Sequence, residues 1–228
     1  MEDLERSAWN AWNTSAGARQ DDGGVGIVAE DEARHVMAWL GGRRGLRILD
    51  AGCGTGWMSA RLATAGDVVG TDLADEVIEQ ARRRLPQARF VAGDIMDVDV
   101  GGDFDVVVSL EVLSHVADQQ AFIQRLHDVL RPGGELMLAT QNRPVLARLN
   151  RLPEPPAGMR RRWVNRRELR AFLASAGFGS IEIRTITPLS DHGPARIAAA
   201  VARRVGATPL LERAGFGWTL MVRAVRPI

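Results

Sequence analysis

Between Arg47 and Thr140 the chain places five short apolar runs, "LRILDA", "VVGTD", "ARFVAGD", "FDVVVSL" and "GELMLAT", at intervals filled by amphipathic stretches. Runs of this length with little polar alternation predict strands buried on both faces. The stretches 59–65, 75–85 and 119–130 carry helical spacing and predict helices. Strand, helix, strand in repetition leaves few solutions, and the simplest is an α/β fold with a parallel sheet and helices on both faces. "RPGG" closes the last of these helices, because Pro cannot continue it and Gly takes the left-handed position behind it.

The flanks read differently. Before residue 46 the chain holds Trp9, Trp12 and a helical pattern over 31–40. The segment 143–165 contains four prolines and no clean period, which predicts a long connection with one helical turn, of the kind used as a lid or binding segment. "NRRELRAFLASAGF" predicts a helix capped by Asn165 and closed by Gly177. "SIEIRTIT" and "GWTLMVRAV" predict two more strands, with a helix over 195–205 between them. A chain of 228 residues suits one domain. We divide it into an N-terminal helical cover (1–45), a core (46–142) and a C-terminal part (143–228).

Charge and composition exclude several classes. Basic and acidic residues number 29 and 28, so the global attraction that a dedicated nucleic-acid binder shows is missing, and no nucleic-acid partner is expected. Every basic residue is Arg, and Tyr is absent as well as Lys, which excludes a Lys Schiff base and a Tyr general base. Cys53 is the only cysteine, so neither a disulfide framework nor a cysteine zinc site can form. The N-terminal residues lack a signal-like apolar stretch and no window reaches the eighteen or so apolar residues of a membrane span, so a cytoplasmic protein without an integral membrane segment is expected.

In an open parallel sheet, ligands bind beyond the carboxyl ends of the strands. Asp50, Gly52, Gly54 and Gly56 follow the first strand. Asp72 ends the second, Asp94 the third, and Ser109, Leu110 and Glu111 the fourth. A dinucleotide loop of the form G-x-G-x-x-G/A needs a small residue where this chain has Trp57. An acid at Asp50 would also repel a pyrophosphate, whereas it suits a ligand with a cationic amine.

"LDAGCGTG", followed in order by "VVGTD", "FVAGDI", "FDVVVSLEVLSHV" and "LRPGG", resembles the motif set of class I S-adenosylmethionine-dependent methyltransferases over residues 47–140. "ATQNRP" and "WVNRRELRAFLASAGF" are similar to small-molecule O-methyltransferases of the ubiquinone-biosynthesis type and their natural-product relatives. The resemblance implies a doubly wound, seven-stranded, mostly parallel Rossmann-like sheet whose last strand is antiparallel. It implies that S-adenosylmethionine is held at its methionine end by Asp50 and the backbone of Gly52, Cys53, Gly54 and Gly56. Asp72, with Leu73 beside it, would take the ribose hydroxyls; Asp94 would take the adenine amine while Ile95 packs on the ring; Leu110 and Glu111 would lie under the cofactor. Trp12, Asn142, Arg143 and Arg162 fall at the acceptor side. The acceptor implied is a small molecule methylated on a hydroxyl or carboxyl oxygen, as in secondary metabolism, and a homodimer is left open. An N-methyltransferase of an amine or sugar, and a catalytically silent cofactor-binding module, are the alternatives.

Methyl transfer is an in-line displacement in which the protein aligns the nucleophile and, for a hydroxyl, removes its proton. His115 and His192 are the candidates for that base, ahead of Glu111, Asp191, His35 and His127. No metal is expected, because Ser109, Gln141 and Asn142 stand where a catechol-type metal site would need carboxylates. "SLEV" after the fourth strand lacks the Pro-Pro-aromatic segment of enzymes that methylate a flipped base. Local readings stay open beside these: Asp72 as a cap for the next helix, His115 as a brace for nearby backbone, Trp9 and Trp12 as packing against the sheet. The six Arg between Arg160 and Arg170 suit an acidic substrate, a membrane surface or a solvated helix face. Replacing Asp72 by Ala should weaken S-adenosylmethionine binding by roughly 1.5–3 kcal/mol through lost charge-assisted hydrogen bonds. Calorimetry showing unchanged affinity would remove the ribose assignment.

Overall fold

The computed structural model describes residues 4, 6–11, 26–149, 157–186 and 217–228. A helical N-terminal segment (6–11) precedes α1 (Ile27–Leu40). The core then runs β1 (Leu46–Ala51), α2 (Trp57–Leu62), β2 (Gly66–Asp72), α3 (Asp75–Arg84), β3 (Arg89–Ala92), β4 (Phe104–Leu110), a 3-10 turn (Leu113–His115), α4 (Gln119–Val129) and β5 (Leu130–Gln141). After it come α5 (Arg143–Leu149), α6 (Arg166–Ser175), β6 (Gly179–Ile186) and β7 (Thr219–Val225). Trp12, His192, Asp191 and the helix expected over 195–205 lie outside the described residues.

The seven strands form one sheet in the order β3-β2-β1-β4-β5-β7-β6. β1 is parallel to β2 and β4, and β7 is antiparallel to both of its neighbours. Only the last strand therefore runs against the rest, as the resemblance implies. The apolar runs are buried on both sides. Ile48, Val106, Val108, Met137, Ala139 and Met221 face α1 and α2, while Leu49, Val107, Leu136, Leu138, Leu220 and Val222 face α4 and α6. α3 closes a smaller cluster of Ile78, Ala81 and Leu85 on Phe90 and Cys53. The strand order reverses between β1 and β4, and that switch point opens a crevice at their carboxyl ends.

Several boundaries differ from those the sequence predicts, among them α1, which starts at Ile27 rather than at 31. α2 starts at Trp57, two residues early, because Gly56 takes the left-handed conformation (φ 76°) and the helix begins directly behind it. β5 starts at Leu130 rather than at Gly134: Leu130 already pairs with Phe104, and the ladder shifts register before resuming at Val106 with Glu135. "RPGG" is thus an irregular strand entry after a helix that ends at Val129. The connection after β5 holds a seven-residue helix, α5, instead of one turn.

Two polar devices fix the edges. Glu135 on β5 accepts from Arg43 behind α1 (3.0 and 3.2 Å) and from Arg223 on β7 (2.9 Å), tying three elements together. Asn165 and Glu168 form a reciprocal capping box on α6, each side chain accepting from the other's backbone amide at 2.9 Å. Asn165→Ala should therefore cost about 1 kcal/mol, which in a domain of this size lowers Tm by roughly 2–4 °C. A melting curve identical to wild type would show that the box adds nothing.

Candidate active site

β1 ends at Asp50 and Ala51, and the chain turns through Gly52, Gly54 and Gly56, all at positive φ. The loop hangs on β2: Gly52 and Cys53 donate their amides to the Thr71 carbonyl (2.8 and 2.9 Å), and Gly54 donates to Oδ2 of Asp72 (2.9 Å). Gly52 is the tightest point. At φ 81° a Cβ there would sit 2.1 Å from Cγ2 of Val112, just past β4. The β1 loop and the β4 turn meet with no space between them, so the loop's backbone is presented to the crevice.

The acids at the strand ends gather along this edge, each in a different setting. Asp50 is 2 % exposed; its Oδ2 accepts from Ser59 of α2 at 2.6 Å. Burial pushes its carboxyl up to about 7, the charge of Asp72 adds to that, and Ser59 opposes it. Asp72 is partly exposed and accepts at Oδ1 from Ala74 (3.0 Å) as well as at Oδ2 from Gly54. Burial raises it too, against the pull of those two amides. One carboxylate thus shapes the turn into α3, fastens the glycine loop and still reaches the crevice. Leu73 beside it is half-buried.

Asp94 follows β3, where Gly93 donates to the Asp72 carbonyl (2.9 Å) and Met96 donates to Oδ1 of Asp94 (2.9 Å). Ile95 points largely into the main core, whereas Met96 is 42 % exposed beside Asp94. Cys53 is buried against Ile78, Ala81 and Phe90, and burial pushes its thiol well up, with Asp50 and Asp72 adding to the shift; it is no nucleophile.

Leu110 packs on the α1 side of the sheet, and Glu111 follows at φ 62°, its amide donating to the Ala139 carbonyl (2.9 Å). Glu32 of α1 and Gln141 of β5 hydrogen-bond to its side chain. Burial pushes the Glu111 carboxyl up to about 7, and burial together with Glu111 raises Glu32 well above the usual range. Neither Glu32 nor Gln141 stands out in the sequence. Among the described residues no group of three or more His, Cys, Asp or Glu could hold a metal ion.

His115 stands at the end of the 3-10 turn. Its Nδ1 lies 2.8 Å from the Arg160 carbonyl, and since a carbonyl only accepts, Nδ1 carries the proton and Nε2 is left as an acceptor. Burial lowers the imidazole below its ordinary value; the Arg160 bond opposes this and the Arg161 charge adds to it. Trp9 meets the ring edge-on at 4.8 Å between centroids. The same N-terminal segment reaches α3, where Asn10 donates to Asp75 (2.7 Å). Residues 160–162 are stitched beside the turn: Arg162 donates its amide to Ser114 (2.7 Å), and Gln119 donates to the carbonyls of Leu113 and Arg162 (2.9 and 2.8 Å).

The remaining acceptor-side residues are placed by the fold. Asn142 is 4 % exposed and its amide donates to Gly217 (2.7 Å), bracing the end of β5 against the entry to β7. Arg143 pairs with Glu168 of α6 (2.9 Å). Arg166 and Arg170 donate to the carbonyls of Ile183 and Ile181, so they belong to the α6–β6 contact, while Arg160 and Arg162 are exposed next to His115.

Residues 48–134 match a family model described as a methyltransferase domain. The chain is 34 % identical over 176 residues to the O-methyltransferase cnsE of Penicillium expansum, covering 70 % of this chain and 62 % of that protein, so it spans less than two thirds of that relative's length. It is 35 % identical over 173 residues to the ubiquinone biosynthesis O-methyltransferase of Azorhizobium caulinodans, covering 68 % of each. A solved S-adenosylmethionine-dependent methyltransferase from Mesorhizobium loti shares the fold, with a TM-score of 0.66 over 88 % of this chain and all of that one at 23 % identity.

Gly52→Ala should lose roughly 2–4 kcal/mol of stability, from the left-handed backbone and the clash with Val112 together. Trimming Val112 to Ala in the same chain should return part of the loss in chemical denaturation. Full stability of the single variant would show that the loop and turn are not in contact.

Proposed function

Because the chain belongs to the S-adenosylmethionine-dependent methyltransferases, we propose that it transfers the methyl group of that cofactor to an oxygen of a small-molecule acceptor. The residues present fit the donor. The crevice offers a half-buried glycine backbone at Gly52 and Gly54, a partly exposed carboxylate at Asp72, and an edge lined by the acids Asp50, Asp72, Asp94 and Glu111, which suits a ligand carrying sulfonium and ammonium charges. Asp72 holds the ribose hydroxyls, since a carboxylate accepts from both members of a cis-diol. Asp94 takes the adenine amine, with Leu73, Ile95 and exposed Met96 as apolar neighbours of the ring. The backbone of Gly52–Gly56 receives the methionine end. The bound cofactor supplies an already activated methyl group.

The observation that carries the oxygen acceptor is the state of His115. A neutral imidazole with Nδ1–H spent on Arg160 offers Nε2 to a hydroxyl, and its depressed basicity keeps it unprotonated at neutral pH. His115 takes the hydroxyl proton as the oxygen attacks in line, and Arg160 and Arg162, exposed on the adjoining segment, favour an acceptor that is acidic or becomes anionic. The O-methyltransferase names of the two relatives point the same way. The segment 157–165 beside His115 forms the acceptor wall, and the N-terminal segment carrying Trp9 forms the cover.

Turnover to S-adenosylhomocysteine with a panel of phenolic, carboxylic and amine acceptors tests this reading. His115→Gln should lower kcat with a hydroxyl acceptor by roughly 10²–10⁴-fold and leave donor affinity unchanged. The acid limb of the wild-type rate profile should fall below the ordinary imidazole value of about 6.5. Turnover of amines alone, indifferent to His115, would replace O-methylation by N-methylation, and no turnover with donor bound would leave a silent binding module.

A further inference from the structure

Glu32 and Glu111 form a pair whose chemistry is not needed for holding adenosine or for taking a proton from the acceptor. Along β4, Val106 and Val108 face α1 and Val107 faces α4. A regularly extended Glu111 would continue on the α4 side. Its φ of 62° breaks the alternation and turns the carboxyl to the α1 side, where it meets Glu32. Glu32 is 1 % exposed. Gln141 reaches the same point from β5, on the face of Met137 and Ala139.

Three oxygens here, one each on Glu32, Glu111 and Gln141, are buried without a hydrogen-bond partner. All three are acceptors, so the complement they lack is positive charge or a proton. Among the described residues the charged neighbours do not supply it. α1 contributes Asp31, which is itself paired with Arg34, and β5 contributes only the neutral Gln141. The glycine loop contributes backbone, with Gly52 packed against Val112 one residue beyond Glu111. Two facing carboxyls in such a place hold one proton between them, and the state of one belongs to both.

We propose that Glu32 and Glu111 are a sensor of donor charge: the pair releases its shared proton when cationic S-adenosylmethionine lies against the Gly52 loop and retains it when the neutral thioether product does. This rests on the donor assignment made above. The balance is simple. Donor binding adds a sulfonium to the crevice, and one proton leaves the pair for solvent. Methyl transfer then removes the sulfonium charge, and the pair recovers a proton from solvent while the neutral product is still bound. Glu111 reaches the crevice, while buried Glu32 acts through it as the positioning residue. The pair thus favours donor over product, and donor affinity rises with pH in proportion to the protons released.

Isothermal titration calorimetry of the full chain at pH 7, in two buffers of different protonation enthalpy, reads the proton directly. S-adenosylmethionine should release roughly half a proton to one proton, and S-adenosylhomocysteine close to none. Sinefungin, with a protonated amine where the sulfonium stands, should behave as the donor does, which tests the sensor without any substitution. In Glu32→Gln the release should disappear, and the donor-to-product affinity ratio should fall about tenfold while product affinity changes less than about threefold. Equal proton release for donor and product, or an unchanged ratio in Glu32→Gln, overturns the sensor and leaves the donor site standing. Binding of none of the three ligands overturns the donor reading, and the sensor falls with it.

Discussion

Between Gly52 and Val112 there is no space for a side chain, and the crevice is built on that contact. β1 and β4 are neighbours in the sheet although a large part of the core separates them in sequence, so the loops leaving them diverge to opposite faces. A Cβ at Gly52 would push these loops apart. Because the position is Gly, the loop can lie on the β4 turn, hang its amides on Thr71 and Asp72, and leave its backbone bare on the outer side. Glu111, one residue before the contact, is held in its left-handed conformation by the same crowding and by its bond to Ala139.

The crevice is acidic, and burial gives its acids unequal tasks. Asp50 is spent on Ser59 beneath the loop, and its carboxyl titrates near neutrality. Asp72 is divided between two amides and the open side. Glu111 faces a second carboxyl. On the donor reading proposed above, one ligand touching all of them meets a ribose acceptor, a buried field and a proton-bearing pair along one edge of the sheet. In the 3-10 turn beyond β4, burial and the Arg161 charge have the opposite effect on His115, keeping it neutral. The strand-end crevice and the surroundings of His115 therefore differ in sign: carboxyls around the first, guanidinium groups around the second.

The sheet was legible in the sequence because buried strands are short, apolar and punctuated. The strand-end acids were legible because in this architecture the residue after a strand faces the ligand edge, whatever the rest of the chain does. Asp72 does not cap α3, whose N-cap Ala74 receives no side-chain bond; its carboxylate instead accepts from the amides of Ala74 and Gly54 and stays partly exposed. What was not legible depends on contacts distant in sequence. Glu32 looks like one acid among several on an exposed helix until the left-handed residue at Glu111 brings a partner to it. Nothing near His115 announces that Arg160, 45 residues later, fixes its tautomer. The entry to β5 was hidden by "RPGG", whose residues forbid a helix equally well whether a loop or an irregular strand follows.

The position of β7 has a consequence for how the protein is made. Among the described residues β6 pairs in the sheet only with β7, which is inserted between β5 and β6. Five parallel strands and the strand-end crevice can form from chain already synthesised, whereas the partner that β6 has among the described residues, 219–225, is made later. For that interval the free edge of β5 and the lone β6 expose unpaired backbone to any passing strand. Among the described strands, closure of the β5 edge is thus a late event in biosynthesis, set by when β7 is made.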